Sequence, residues 1–308
     1  MLFKNLLVYR LSPSFTLDEE TLEAALANLP AKPCGSQTAS TYGFTAPTRF
    51  ADEPPLVHAC QGFLLVAGQL EERLLPGSVV RDAVAEKVSE IETAESRKVY
   101  KKEKDQIKDE VVQELLPRAF IRKSRTFAAI DPKTGLLYVD SSSTGRAEEL
   151  LSAMREALGS LPVRPVSVKQ APDSTFTAWL KDGDPGHSLS LLDECELRDS
   201  AEDGGIIRIK REDLASEEIQ NLLATGKLAT VVTLGWDDKL TFQLDTKLAI
   251  KKLRFADLLL EQAEQDSGDD DAAGLFDASF IVMMLTLREF VPALSEALGG
   301  VEEPENIV

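Results

Sequence analysis

Apolar and polar positions divide the first 75 residues into two strands, a helix and a loop. Residues 3–11 and 57–70 carry the apolar runs that are typical of strands. Between them, residues 17–29 place leucines at helical spacing and end at a proline. Residues 31–55 are rich in Pro, Gly, Ser and Thr, a composition that predicts a loop.

A helical region is predicted from residue 76 towards residue 116. The apolar face of its first half is formed by Val80, Val84, Val88 and Ile91. After Ala94 this face loses its apolar residues, and Lys98 and Lys102 occupy the same angular sector at about 100° per residue. The pattern predicts a helix, or a helical hairpin, that leaves the core and presents a cationic stripe.

Residues 124–168 predict a β-hairpin followed by a helix and a third strand. The two strands of the hairpin, 126–130 and 136–140, flank a turn that contains Pro and Gly. The helix that follows has one apolar face and ends at Gly159, which suits a left-handed C-terminal cap. The third strand is expected at 163–168.

Residues 169–190 predict a looser linker before a second set of strands and helices. This set comprises strands at 206–211, 228–234 and 240–244, and helices at 217–224 and 278–298. An acidic, glycine-containing loop is expected over 266–274. Mixed strands and helices favour an α+β fold, with mixed or antiparallel sheets and packed helices, over a parallel sheet.

Three regions are expected along the chain. An N-terminal α+β region joins residues 1–75 with 118–168, a basic helical segment at 76–117 projects from it, and a C-terminal α+β domain spans 169–308. No apolar run approaches 18 residues, so we predict no membrane span. Three widely spaced cysteines suit a reducing compartment, as in the cytoplasm.

Charge is distributed very unevenly. The whole chain has a formal net charge of −18, whereas residues 97–125 hold ten Lys and Arg and five acids, a net charge of +5. An acidic protein with such a segment is expected to bind an anion there, because its remaining surface repels the same ligand. A second group occurs at 206–211, where Arg208 and Lys210 would share one face of a strand. A weaker third group comprises Lys247, Lys251, Lys252 and Arg254.

Two interpretations of the main basic segment remain open at this point. A solvated charged helix explains residues 97–108 as well as nucleic-acid binding does, because acids are interspersed. Phe120 lies between Arg118 and Arg122, an arrangement that can hold phosphates and offer a ring to bases or sugars, although Phe120 could equally belong to the core. The three cationic groups together favour nucleic-acid binding.

Sequence signals for catalysis are sparse. His58 and His187 are the two histidines, and the chain contains no nucleophile elbow, phosphate-binding loop or dinucleotide fingerprint. Acidic groups at 193–196 and 269–271 could in principle hold Mg²⁺ for a nuclease, but such groups arise by chance among 52 acidic residues. We therefore expect no catalytic residue, no metal and no cofactor.

Six sequence blocks resemble the bacterial recombination-associated RdgC family. They are MLFKNLLVYRL at 1–11, PCGSQ at 33–37, KKEKDQIKDEVVQELLPRAF at 101–120, DGGIIR at 203–208, LASEEI at 214–219 and EALGG at 296–300. The blocks are long, occur in order and span nearly the whole chain.

The resemblance implies a non-enzymatic, nucleoid-associated protein that binds double-stranded and single-stranded DNA with little sequence preference. It further implies an elongated, curved protomer that forms a ring-shaped homodimer around duplex DNA and restrains the strand-exchange recombinase. By the same resemblance, Arg118 and Phe120 would lie near the inner surface or the dimer contact, and Lys210 and Arg211 would contact DNA.

The candidate DNA-binding residues are Arg97, Lys98, Lys101, Lys102, Lys104, Lys108, Arg118, Phe120, Arg122, Lys123, Arg125, Arg208, Lys210 and Arg211. The main alternative function is a protein-interaction module that binds an acidic partner through the basic helix. A metal-dependent nuclease is a third hypothesis.

Overall fold

Two antiparallel sheets with helices packed against them form the framework of the protein. The computed structural model describes residues 2–199, 201, 204–259, 261 and 272–302. The strands of the first sheet are β1 (Leu7–Leu11), β2 (Ser40–Thr45), β3 (Val57–Cys60), β4 (Phe63–Leu74), β5 (Phe120–Asp131), β6 (Leu136–Val139) and β7 (Val163–Pro165). Their order is β2-β4-β5-β6-β1-β7, and β3 also pairs with β4. The predicted α+β class is confirmed.

The second sheet is built from the C-terminal half of the chain. Its strands are β8 (Leu189–Arg198), β9 (Ile206–Lys210), β10 (Leu228–Trp236), β11 (Leu240–Asp245) and β12 (Ile250–Phe255), in the order β12-β11-β10-β8-β9. The helices are α1 (Glu19–Leu26), α2 (Gly77–Glu95), α3 (Lys101–Leu115), α4 (Thr144–Leu158), α5 (Pro172–Asp182), α6 (Glu217–Ala224) and α7 (Ala272–Ala297).

The two faces of the first sheet pack against different partners. One face is covered by α1 and α4, where Leu22 and Leu150 are fully buried. The other face shares an apolar core with α7, α5 and the second sheet. Backbone hydrogen bonds also join the segment before β1 to β12, because Leu6 and Ile250 each donate to the other's carbonyl oxygen, at 2.8 and 3.0 Å.

Helix α7 lies between the two sheets. The ring of Phe280 is 6.4 Å from that of Phe63 in β4, and the ring of Phe290 is 4.8 Å from that of Phe242 in β11. By length and composition α7 could cross a membrane, with a mean hydropathy of 1.4 in its most apolar window, but half of that window is buried inside the protein. The apolar residues of α7 pack against both sheets, so the helix is apolar on more than one face.

Two parts of the N-terminal region differ from the sequence prediction. The predicted loop at 31–55 contains β2, because Phe44 is buried among apolar residues although its neighbours have a loop-like composition. The strand predicted over 57–70 is a hairpin of β3 and β4. Its turn is formed by Gln61 and Gly62, both with positive φ (48° and 81°), the geometry of a tight two-residue hairpin.

The C-terminal half also contains elements that the sequence did not reveal. The predicted linker at 169–190 contains α5, whose Phe176 and Trp179 are buried in the shared core. Strands β8 and β12 were also missed, because their apolar and charged residues do not stand out as strands until both faces of the sheet are known. Of the predicted acidic loop, residues 266–271 lie outside the described residues, and 272–274 belong to α7.

Candidate nucleic-acid interface

A helical hairpin carries most of the predicted basic segment. Helices α2 and α3 pack against each other through Val80, Val84, Ile107 and Val111. The chain turns between them at Ser96, which has a left-handed conformation (φ 49°). The α2–α3 hairpin is inserted between β4 and β5. The pair of residues next to the insertion is Leu74, the last of β4, and Phe120, the first of β5. Of the two predicted alternatives, the structure shows the hairpin rather than one continuous helix.

Five lysines of the α2–α3 hairpin are exposed and form no ion pair with any described residue. They are Lys98, Lys101, Lys102, Lys104 and Lys108. A solvated ammonium without a protein carboxylate can bind a phosphate without first giving up another partner. These lysines are therefore available to a phosphate, as are Arg118, Lys210 and Arg211, which are also exposed and form no ion pair with a described residue.

Arg97 differs from these lysines because two carboxylates already bind it. Its guanidinium donates to both oxygens of Glu103, at 2.6 and 2.7 Å, and also to Glu95. The hydrogen bond with Glu103, followed by that with Glu95, raises the pKa of Arg97. The local field of Arg97 is thus largely neutralised within the hairpin.

The residues that follow the hairpin expose an aromatic ring. Phe120 is 84% exposed, so it does not belong to the core, and its cross-strand neighbour Leu74 is 40% exposed. Arg118 beside it is exposed too. At the distal end of the hairpin, Tyr100 is 76% exposed. Such rings are available to a macromolecular partner.

Strand alternation in β5 separates residues that are adjacent in sequence. Arg122 shares a face with Ala128, the face that packs against α1 and α4. Lys123 and Arg125 share the opposite face with Ala129, which packs against the core around α7. The predicted cationic run at 122–125 is therefore divided between the two faces of the sheet.

The cations of β5 also differ in their partners. Arg122 donates to Glu72 at 2.6 and 2.9 Å, and Lys123 lies 2.9 Å from the buried carboxylate of Glu71. Burial, followed by the positive charge of Arg49, lowers the pKa of Arg125. Arg49 is a cation that the sequence did not bring to attention, because it is isolated in a loop-like stretch.

The second sheet presents a cationic face that combines two of the predicted groups. In β9, Arg208 and Lys210 point outward while Ile207 and Ile209 pack against the core, as the alternation predicted. Lys252 in β12 reaches the same face, since its Nζ lies 2.7 Å from Glu194 of β8. The cationic sheet face comprises Arg198, Arg208, Lys210, Lys252 and Arg254.

Two glutamates moderate the charge of the cationic sheet face. Glu196 accepts hydrogen bonds from Arg208 at 2.8 Å and from Arg198 at 3.1 Å. Burial raises the pKa of Glu196, but these hydrogen bonds outweigh it, so the pKa lies below its ordinary value. The hydrogen bond from Lys252 likewise lowers the pKa of Glu194, helped by the charges of Lys210 and Arg211. Lys251 and Asp245, beside Gln243 on the same face, pair at 2.8 Å and cancel each other, so the five cations and two glutamates leave this face with a positive charge.

The candidate cations therefore fall on three parts of the fold, which are the α2–α3 hairpin, β5 with the segment before it, and the second sheet. No hydrogen bond or ion pair within the described residues joins the α2–α3 hairpin to the cationic sheet face. The acids suggested for Mg²⁺ at 193–196, which the structure describes, are not assembled into a metal site either. Among the residues that the structure describes, there is no group of three or more His, Cys, Asp or Glu that could hold a metal ion, and 269–271 lie outside them.

Comparison with known proteins identifies the family. A family model described as "Putative exonuclease, RdgC" matches residues 1–301. The chain belongs to the RdgC family. Among its RdgC relatives are proteins named "Recombination-associated protein RdgC" from Pseudomonas paraeruginosa and Pseudomonas aeruginosa, each 61% identical over 307 residues, and from Pseudomonas syringae pv. syringae, 59% identical. In each case the alignment covers 100% of both chains. The resemblance predicted from the six sequence blocks is confirmed.

Proposed function

We propose that this chain binds DNA without sequence preference, as a ring-shaped homodimer that surrounds the duplex and restrains the strand-exchange recombinase. The observation that carries the proposal is the set of exposed, unpaired lysines on the α2–α3 hairpin of a chain whose net charge is −18. The names of the relatives, which refer to recombination, support the same conclusion. The site of action would be the cytoplasmic nucleoid.

Binding would use contacts to the phosphate backbone. Each lysine that neutralises a phosphate releases condensed counterions, so affinity falls as the salt concentration rises. Phosphate contacts position a protein on DNA but carry no base information, which accounts for binding without sequence preference. Single-stranded DNA offers the same phosphates, and an exposed ring such as Phe120 could stack on its bases.

A homodimer would combine the two cationic groups around one duplex. Within one chain different elements carry the hairpin lysines and the cationic sheet face, and a two-fold axis would double both groups. Exposed Phe120 and Leu74 supply an apolar patch suited to a contact between copies. A closed ring would leave DNA only by opening a contact, and the enclosed DNA would be inaccessible to a recombinase filament.

The test is DNA binding against salt concentration with linear and closed circular duplexes of equal length, together with the mass of the complex. We expect steep salt dependence on both, a dimer on the DNA, and retention on the circle at salt concentrations that release the linear duplex. Binding that is independent of salt would contradict the phosphate contacts. Equal release from both substrates would contradict the ring.

Two other functions have their own tests. A module that binds an acidic protein through the basic hairpin would keep its partner in the presence of excess random DNA, whereas a DNA-binding protein would lose it. The family description includes the word exonuclease, so linear DNA should be incubated with the protein and Mg²⁺. Shortened strands would establish an enzyme, whereas intact DNA supports binding alone.

A further inference from the structure

Arg73 connects two chain segments at the base of the α2–α3 hairpin. Its Nη1 donates to carbonyl oxygens of residues 116–119, where the chain returns from the hairpin, and the shortest of these bonds is 3.1 Å, to Leu116. Its Nε donates to the carbonyl oxygen of Gly35 at 3.1 Å, and its Nη2 to that of Cys34 at 3.5 Å. One guanidinium therefore bridges the return segment and a loop that is distant in sequence.

The loop that receives Arg73 is itself fixed to β4. The amide of Cys34 donates to Oε1 of Glu71 at 2.9 Å, and the thiol of Cys34 donates to the carbonyl oxygen of Glu71 at 2.9 Å. Both residues are buried, and the second carboxylate oxygen of Glu71 pairs with Lys123. The PCGSQ block at 33–37 thus has a structural role, because it provides a rigid acceptor for Arg73.

Only arginine has the geometry for this contact. Its planar guanidinium offers five N–H donors in fixed directions, so it can reach two segments at once, whereas a lysine ammonium is a compact charge with three donors. The carbonyl groups of Gly35 and Pro117 lie in exposed residues, so water could replace the arginine there. Loss of Arg73 should therefore loosen the connection without unfolding the cores.

We propose that Arg73 is a positioning residue, which fixes the direction in which the α2–α3 hairpin and Phe120 leave the first sheet. The lysines of the hairpin are held by α2 and α3, but their placement relative to the sheet depends on residues 116–119. Arg73 thereby determines where the phosphate-binding cations stand. The statement that Arg73 places cations for phosphates rests on the proposed DNA-binding function.

The test compares Arg73→Gln and Arg73→Lys with the wild-type protein. Arg155→Gln is the matched control, because Arg155 is exposed on α4 and the same charge is lost. Hydrogen exchange is measured by mass spectrometry on the full chain, together with thermal unfolding and DNA binding. We expect faster exchange in 34–39 and 116–121 for both Arg73 variants, unchanged exchange within α4, and an unfolding midpoint close to that of the wild type.

The two Arg73 variants separate positioning from a direct phosphate contact. If Arg73 positions the hairpin, Arg73→Lys weakens DNA binding several-fold, as much as Arg73→Gln does, although the charge is kept. DNA binding that Arg73→Lys restores would overturn the proposal, as would unchanged exchange at 116–121 or faster exchange throughout the protein. If the wild-type protein binds no DNA, the proposed function fails, but the exchange experiment still decides whether Arg73 holds the hairpin.

Discussion

Arg288 of α7 binds the fully buried carboxylate of Asp131 at the end of β5 through two hydrogen bonds. Nε lies 2.7 Å from Oδ2, and Nη2 lies 2.8 Å from Oδ1. The guanidinium also lies over the ring of Phe63, 4.4 Å from its centroid. This pair fixes the helix that separates the two sheets to the first sheet, and so sets the relative placement of the elements that carry the cations.

Replacing the carboxylate of this pair should destabilise the fold. We expect Asp131→Asn to lower the free energy of unfolding by about 2 kcal/mol, because Arg288, whose side chain is 28% exposed, loses a charged and fully buried hydrogen-bond partner. Urea unfolding measures the effect as a lower midpoint with an unchanged slope. Asp182→Asn, at an exposed position in α5, is the control and should change the stability by less than about 0.5 kcal/mol. Equal stability of the two variants would contradict the role assigned to the pair.

The same pair should contribute to acid sensitivity. Burial raises the pKa of Asp131, but the hydrogen bonds from Arg288 and Thr134 outweigh it, and the pKa lies below its ordinary value of 3.8. A lowered pKa means that the carboxylate stabilises the fold above the unfolded pKa, and that this contribution is lost as the pH falls through the folded value. The stability difference between wild type and Asp131→Asn should thus be constant near neutrality and narrow below about pH 4. If the stability difference between the two proteins widened in acid, the pKa of Asp131 would not be lowered by folding.

The hairpin lysines should determine the salt dependence of DNA binding. We expect the triple change of Lys98, Lys101 and Lys102 to Ala to reduce the slope of log affinity against log salt by up to about three, and to weaken binding alike across sequences. The control changes Lys32, Lys133 and Arg155 to Ala, which removes the same charge from exposed positions outside the candidate interface. If both triple variants bind DNA equally, the hairpin is not the contact surface.

Glu196 should weaken DNA binding at the cationic sheet face. Since its carboxylate binds Arg198 and Arg208, we expect Glu196→Gln to release both guanidinium groups for phosphates. Affinity should rise, and the slope of log affinity against log salt should become steeper by up to about two, one for each arginine. Glu217→Gln, in the first turn of α6, makes the same charge change away from this face. An equal gain in both variants would indicate a general charge effect instead of a local contact.

Phe120 should affect assembly or DNA binding but not folding. Because its side chain is 84% exposed, Phe120→Ala should change the free energy of unfolding by less than about 0.5 kcal/mol. If Phe120 lies in the dimer contact, sedimentation equilibrium will show weaker self-association. If it lies on the inner surface, mass will be unchanged and DNA affinity will fall. Leu285→Ala, at a half-exposed position of α7, should leave both the self-association and the DNA affinity unchanged.

Local sequence was sufficient where neighbouring residues define an element. The helix that ends at Gly159 was predicted because its apolar face and its left-handed cap (φ 75°) depend on residues within a few turns. The family, too, was recognisable from ordered blocks along the chain. By contrast, α5 and β12 become identifiable only when the distant surfaces that bury Phe176 and Leu253 are present.

The amino-acid order alone determined the fold class, the family and the concentration of positive charge at 97–125, because each depends on residue type and spacing. Only the tertiary structure decided which cations are available. Alternation in β5 sends Arg122 and Lys123 to opposite faces, and folding brings Glu103 to Arg97 and Glu196 to Arg208. Whether a side chain meets a carboxylate or solvent depends on contacts between segments, and charge counts along a chain do not contain that information.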